Sequence, residues 1–319
     1  MADDMLQVSI IVPVHNAAET VAACVAGIME QDYENIECIL VENGSRDDSA
    51  RVCKEWADSS PRIRFLTSPV AGVSHARNLG LAEAKGDIIG FCDADDFLEP
   101  GAIRAVVNAF RQGESIVGVF GAFHIGRVSE GEVRRQYKGI KKQYLTKQTA
   151  IKLTLGCDDV MGSVWNKYYR ADIAKQVLFD PGLSYCEDMH YNVKLLSGLE
   201  EATVAYTPHP LYCYVVNTQS VTHNASLFYG ENDELKYITA MKRILADCPL
   251  SRRSASLVRM KIAAFAIDFL YRGDNTDAQR AKLKQDVKEN LGHFIKNMAR
   301  AELGMNMKRL VKLALLAVK

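Results

Sequence analysis

The sequence predicts an α/β fold with a mostly parallel sheet, followed by a helical C-terminal region. Three observations carry this. Short, β-branched apolar runs alternate with amphipathic helical stretches through the first 112 residues. Polar clusters follow the ends of those runs, where ligands bind in open parallel sheets. From residue 226 onward strand signals cease and helical periodicity takes over.

Each element has its own warrant. Residues 8–14, VSIIVPV, form a continuous apolar run suited to a strand buried on both faces. Asn16, with Glu19 three residues later, reads as a capping box for a helix whose apolar face holds Val21, Val25 and Ile28. Ile36 to Val41 is a second strand, followed by the turn ENGS and a helix from about Asp47 to Trp56. Ile63 to Leu66 leads to a helix near Ser74 to Ala84, and Ile88 to Cys92 ends at Asp93-Ala94-Asp95-Asp96. After Gly113 the order changes: residues 115–125 read as a strand and the basic stretch 127–148 as an exposed hairpin or loop. The expected organisation is a catalytic domain at 1–225, with halves at about 1–112 and 113–225, and a helical region at 226–319.

Composition narrows the function classes. The chain has 319 residues, 48% apolar and 24% charged, as in ordinary globular proteins. Lys plus Arg and Asp plus Glu both number 39, so no global basic field exists to recruit nucleic acid. The eight cysteines form no C-x-x-C pair and sit mostly in apolar runs, which predicts buried free thiols in a reducing compartment. No apolar run approaches the ~20 residues that span a bilayer, and Met1 to Gln7 lack a signal-peptide core. A cytoplasmic protein is expected, with a possible peripheral membrane contact. Residues 303–318 place Lys308, Arg309 and Lys312 within an arc of roughly 100° at helical spacing, opposite an apolar face. That pattern suits either an anionic membrane surface or packing on the catalytic domain.

The acidic clusters carry the chemistry. Asp93, Asp95 and Asp96 crowd three carboxylates behind a buried strand, which a hard divalent cation would relieve; acids at a helix start are the alternative. Glu42-Asn43 after the second strand is a ligand contact or a plain turn. Glu187-Asp188 opens a helix, either as first-turn acids or as the site of a general base for a sugar hydroxyl. Trp165 offers a ring for sugar stacking or for core packing. His15, His75, His190 and His223 have no metal-ligand spacing. No G-x-G-x-x-G or P-loop element is present.

Taken together, VSIIVPVHN (8–16), ILVENGSRDDS (39–49), GVSHARNLGLAEAKGDIIGFCDADD (72–96) and EDMHYNVKLL (187–196) resemble the family-2 glycosyltransferases, inverting enzymes of the GT-A fold. VWNKYYR (164–170) and PLYCY…SVTH (210–223) resemble the members that build capsules, lipopolysaccharide and exopolysaccharide. The resemblance implies that Pro13, His15 and Asn16 border the nucleotide and that Glu42 and Asn43 face its base. It places Arg77 and Asn78 in the nucleotide pocket and Asp93-Ala94 near the ribose. Asp95, assisted by Asp96, would hold Mn2+ or Mg2+, and Asp188 would be the base, with Glu187 and Trp165 toward the acceptor. Glu42-Asn43 departs from the family's usual aspartate pair; an Asn oxygen can accept from the imide of uracil, which points to a UDP-sugar. Val215 stands where the family often has Arg, which puts one diphosphate contact in doubt. The expected acceptor is a glycan or lipid-linked saccharide. The competing readings are an inactive nucleotide-sugar or glycan-binding module and a sugar nucleotidyltransferase; the latter would need a basic, glycine-rich loop after the first strand, where Pro13 to Ala18 hold neither Gly nor Lys.

Overall fold

The structure is a computed structural model that describes residues 6–126, 133–135 (backbone only), 143–156, 160–216, 228–230, 233–270 and 275–298. The segment 303–318, His223 and Cys157 lie outside the described residues. The chain divides into two compact units, residues 1–220 and 221–319.

The first unit is built on one mixed sheet. Its parallel half is β1 (Val8–Val14), β2 (Ile36–Glu42), β3 (Ile63–Thr67) and β4 (Ile88–Phe91), in the spatial order β3-β2-β1-β4. β1 and β2 are buried along their whole length, as their unbroken apolar runs require. The connecting helices are α1 (Val21–Met29), α2 (Ser49–Ser59) and α3 (Val73–Glu83). The chain runs outward from β1 to β3 and then returns to β4 on the other side of β1. That reversal opens a crevice at the carboxyl ends of β1 and β4.

Beyond β4 the chain forms β5 (Phe97–Leu98), α4 (Ala102–Phe110), β6 (Ile116–Gly126), β7 (Val133–Arg135), β8 (Tyr144–Thr146), α5 (Lys147–Thr154), β9 (Lys167–Arg170), α6 (Ala171–Ala174), α7 (Glu187–Gly198) and β10 (Thr203–Val215). β9 inserts antiparallel between β4 and β6, β10 runs parallel to β6, and β5 pairs antiparallel with β10. Within the basic stretch, β7 pairs antiparallel with β6 and β8 with β10. The α/β class with a mostly parallel sheet flanked by helices is therefore the one the sequence predicts.

One local expectation fails. Asn16 and Glu19 do not cap α1, whose N-cap is Thr20 with no side-chain cap bond. Asn16 instead sits in the left-handed region at φ 49°, and its Oδ1 accepts from the Arg46 N–H at 2.9 Å. Asparagine tolerates that conformation, and here its side chain fastens the β1 end to the β2 end.

The second unit is helical among its described residues: α8 (Lys236–Asp247), α9 (Arg252–Leu270) and α10 (Asp277–Met298). Ile238, Met241, Ile244, Val258, Ile262, Ile267 and Phe294 are buried. Lys242 pairs with Asp286 at 2.8 Å and with Glu234. Among the described residues no helix is long and apolar enough to cross a membrane.

Candidate active site

The crevice is lined by the residues that follow three parallel strands. His15 and Asn16 follow β1 and are exposed, Glu42 and Asn43 end β2 and are buried, and Asp93 follows β4. A polar lattice ties these ends together. The His15 Nδ1–H donates to the Asn43 carbonyl at 2.9 Å, which leaves Nε2 to accept from the Asn16 amide at 3.0 Å. Asn16 N–H donates to Ser45 Oγ at 3.0 Å, and Ser45 N–H donates to the Glu42 carboxylate. Pro13 lies within β1, opposite Val41, and is buried.

Arg77 joins the two halves of this unit. It comes from α3 and is 5% exposed. Its guanidinium donates to Asp93 at 3.1 Å and to Glu187, at the start of α7, at 2.7 Å. It also lies 5.4 Å from the centre of the Phe179 ring. Burial works against its charge, but Asp93, Glu187 and Asp188 outweigh that and hold it protonated. Its Nε is buried with no hydrogen-bond partner among the described residues, which carries a desolvation cost.

Asp188 lies next to this pair in the first turn of α7. Burial pushes its carboxyl up to about 7, Glu187 adds like-charge repulsion, and Arg77 opposes both. Cys186, immediately before the helix, has φ 57°, so the chain enters α7 through a sharp left-handed turn. Because Arg77 engages Glu187, the two adjacent acids take different environments: one is paired, the other is tuned toward neutral pH.

The acidic cluster divides in the same way. Asp95 is half-buried, and its carboxylate takes no hydrogen bond or ion pair from another residue among those described. Burial and the nearby Asp93 raise its pKa. An unpartnered carboxylate beside a second one fits a hard divalent cation. Asp96 does not share that role. It is 1% exposed, and its two oxygens accept from the Tyr212 hydroxyl and the Val215 N–H, both at 2.7 Å. The Tyr212 hydroxyl in turn accepts from the Asp93 N–H at 3.0 Å. Asp96 is thus an internal anchor between β10 and the acidic turn, with its lone pairs already directed to protein donors. Burial and Asp93 push its carboxyl up to about 8.

Three further expectations are corrected. Asn78 does not face the crevice: its amide donates to the Phe179 carbonyl at 2.9 Å and accepts from the Phe179 N–H at 2.8 Å. It ties α3 to the segment ahead of α7, which helps place Arg77 against Glu187. Trp165 is only 6% exposed, stacked on Tyr212 at 4.5 Å and edge-on to Phe123 at 4.9 Å. Its ring is a core contact rather than a sugar platform. Asn43 is 5% exposed and one of the two lone pairs on its Oδ1 accepts from Gly72 N–H at 2.8 Å, so burial and that bond leave it poorly placed for the base contact expected of it. Tyr212 is the residue sequence reasoning missed; its partners lie 116 and 119 positions away, and nothing local signals them.

Comparison with known proteins agrees with this geometry. The profile of glycosyl transferase family 2 matches residues 9–178. Glycosyltransferase GlyA of Streptococcus pneumoniae serotype 4 is 28% identical over 234 residues, 70% of this chain and 32% of GlyA. The uncharacterized glycosyltransferase EpsJ of Bacillus subtilis is 30% identical over 224 residues, 67% of this chain and 62% of EpsJ. The chain therefore spans less than two thirds of the length of these relatives. The crystal structure of S. aureus TarS 1–349 superposes with a TM-score of 0.67 at 15% identity, covering 91% of this chain and 80% of that one. TarS 1–349 in complex with UDP-GlcNAc gives 0.65 at 17% identity, covering 91% and 81%. These structures share the fold. With the profile matched across more than half of its length, and with the acidic turn and Glu187-Asp188 brought into one crevice, this chain belongs to glycosyl transferase family 2.

Proposed function

We propose that the chain is an inverting glycosyltransferase that moves a sugar from a nucleotide-sugar donor, a UDP-sugar, onto a hydroxyl of a glycan or lipid-linked saccharide in surface-polysaccharide assembly. The observation that carries this reading is Arg77, which spans from Asp93 of the nucleotide half to Glu187 of the acceptor half and leaves Asp188 beside the pair. Family membership and the TarS-like fold support the donor class.

Asp188 takes the proton of the acceptor hydroxyl as that oxygen attacks the anomeric carbon. The new C–O bond forms on the face opposite the departing nucleoside diphosphate, which leaves with the electron pair of the broken bond, so the configuration inverts. A carboxyl near 7 is matched to this task, because a substantial fraction is ionised near neutral pH and that form is basic enough to accept the proton. Asp95, with Asp93 beside it, would hold Mn2+ or Mg2+. When bound, such an ion neutralises charge on a leaving diphosphate. Arg77 adds fixed positive charge to a crevice that receives an anionic donor, and the exposed His15 and Asn16 form its rim, with Glu42 buried behind them.

The test is nucleotide release from a panel of UDP- and GDP-sugars with Mn2+, beginning with UDP-N-acetylglucosamine. Slow release of UDP that quickens with an acceptor saccharide supports the reading. Binding without release from any donor would favour an inactive nucleotide-sugar-binding module instead.

A further inference from the structure

The segment VWNKYYR contains a lysine that the proposed chemistry leaves unused. Lys167, on β9, is fully buried. Its Nζ lies 2.5–3.0 Å from four oxygens: the backbone carbonyls of Val160, Met161 and Ser163, and Oδ1 of Asn166. An ammonium has three protons and no lone pair, so four converging acceptors favour the charged form. The Phe120 ring, 5.2 Å from Nζ, adds its electron-rich face.

The remaining carbonyl of this turn is held from α7. Asn192 Nδ2 donates to Gly162 O at 2.7 Å and to Ser163 O at 3.2 Å, and Asn192 Oδ1 accepts from the Tyr169 hydroxyl at 3.0 Å. Four consecutive carbonyls, 160–163, therefore point at buried side-chain donors from β9 and α7. The turn is held in a conformation it would not adopt alone: Met161 has φ 53°, in the left-handed region. Gly162 packs directly on α7, where a Cβ would stand 2.7 Å from the Cβ of Met189. Asn192 is four residues after Asp188, so the two side chains share a helix face.

We infer that Lys167 is a positioning residue for Asp188: its carbonyl cage fixes the depth and rotation of the first turn of α7, and its charge supports the ionised carboxylate. The inference rests on the reading of Asp188 as the base. The two residues form no direct ion pair, and the charged groups facing Asp188 are Glu187 on its own helix, Arg77 from α3 with Asp93 behind it, and Lys167 from β9. The coupling is reciprocal. Burial draws the Lys167 ammonium down to about 7 and Asp188 opposes that fall, so the charge depends on the cage and on Asp188, while Lys167 helps draw the Asp188 carboxyl down.

The experiment is the pH profile of kcat, from about pH 5 to 9 across the working range of a carboxylate base. It uses UDP-N-acetylglucosamine, or whichever nucleotide sugar the panel turns over. Lys167→Gln keeps an amide donor for the carbonyls but removes the charge. Its acid limb should move up by about one pH unit, on the scale of a lost neighbouring charge, with donor KM unchanged within about twofold. Lys167→Arg keeps the charge and should keep the limb of the wild type while kcat falls. A merely structural lysine would lower kcat equally at every pH in Lys167→Gln, and that result overturns the inference. Should neither variant melt cooperatively, Asn192→Ser decides: kcat about tenfold lower at unchanged KM supports the cage, and wild-type kcat overturns it. Asp188→Asn is run alongside; full turnover there would remove the base reading itself, whereas an inactive Asp188→Asn with an unmoved Lys167→Gln limb sinks only the role of Lys167.

Discussion

Asp95 and Asp188 are carboxylates whose surroundings disfavour their charge, and each yields a prediction. Asp95 has no protein partner among the described residues and a raised pKa, so its ionised form is worse placed in the folded chain than in the unfolded one. Without divalent cations Asp95→Ala should therefore melt no lower than the wild type. With Mn2+ the wild type should gain melting temperature and the variant should not, and turnover of the variant should fall by roughly 10²-fold or more, the scale of several kcal/mol of lost charge stabilisation. Equal gains in Mn2+ would remove Asp95 from the metal site. Asp188 acts as a base only when ionised. Because its carboxyl is raised to about 7, kcat should climb with pH through that value and flatten above it. A profile already flat at pH 5 would contradict this. The residue types at these positions were legible because each is a carboxylate at a strand or helix boundary. Asp96, Asn78 and Asn43 were misread because the sequence does not show which lone pairs are already taken. Their partners, Tyr212, Phe179 and Gly72, come from remote segments.

At the level of elements, α3 is the lever that sets Arg77. It reaches the sheet through Gly80, where a Cβ would stand 2.4 Å from Cγ2 of Ile11 on β1. Gly80→Ala should destabilise the fold by about 1–3 kcal/mol through overpacking. It should also weaken turnover, because α3 must lift and carry Arg77 away from Asp93 and Glu187. Urea unfolding and nucleotide release check the two halves of this prediction; an unchanged midpoint would show that the contact is not tight. β1 to β4 and their helices were readable because their apolar runs and helical periodicities are local. β10 was not. It reads TVAYTPHPLYCYV, and Pro208 and Pro210 argue against a central strand. The structure accommodates them at register shifts between Thr207 and Pro210 and between Pro210 and Tyr212, so the strand continues to the acidic turn. The β9 insertion was equally hidden, since antiparallel pairing with β4 and β6 has no periodicity distinct from a parallel strand.

Across the first unit, the sheet brings together two kinds of work. In the proposed reading the ends of β1, β2 and β4 face the nucleotide, and α7 delivers the carboxylate that acts on the acceptor. Arg77 holds the two at a fixed spacing. This division of labour is what the proposed mechanism requires, and it makes donor binding and turnover separable. The most direct measurement compares wild type and Asp188→Asn, which is nearly isosteric but accepts no proton, for donor affinity by calorimetry and for turnover by nucleotide release. The predicted result is donor affinity within about twofold and turnover lower by roughly 10²-fold or more, the range of a lost general base. Undiminished turnover, or loss of donor binding with the fold intact, would contradict the account.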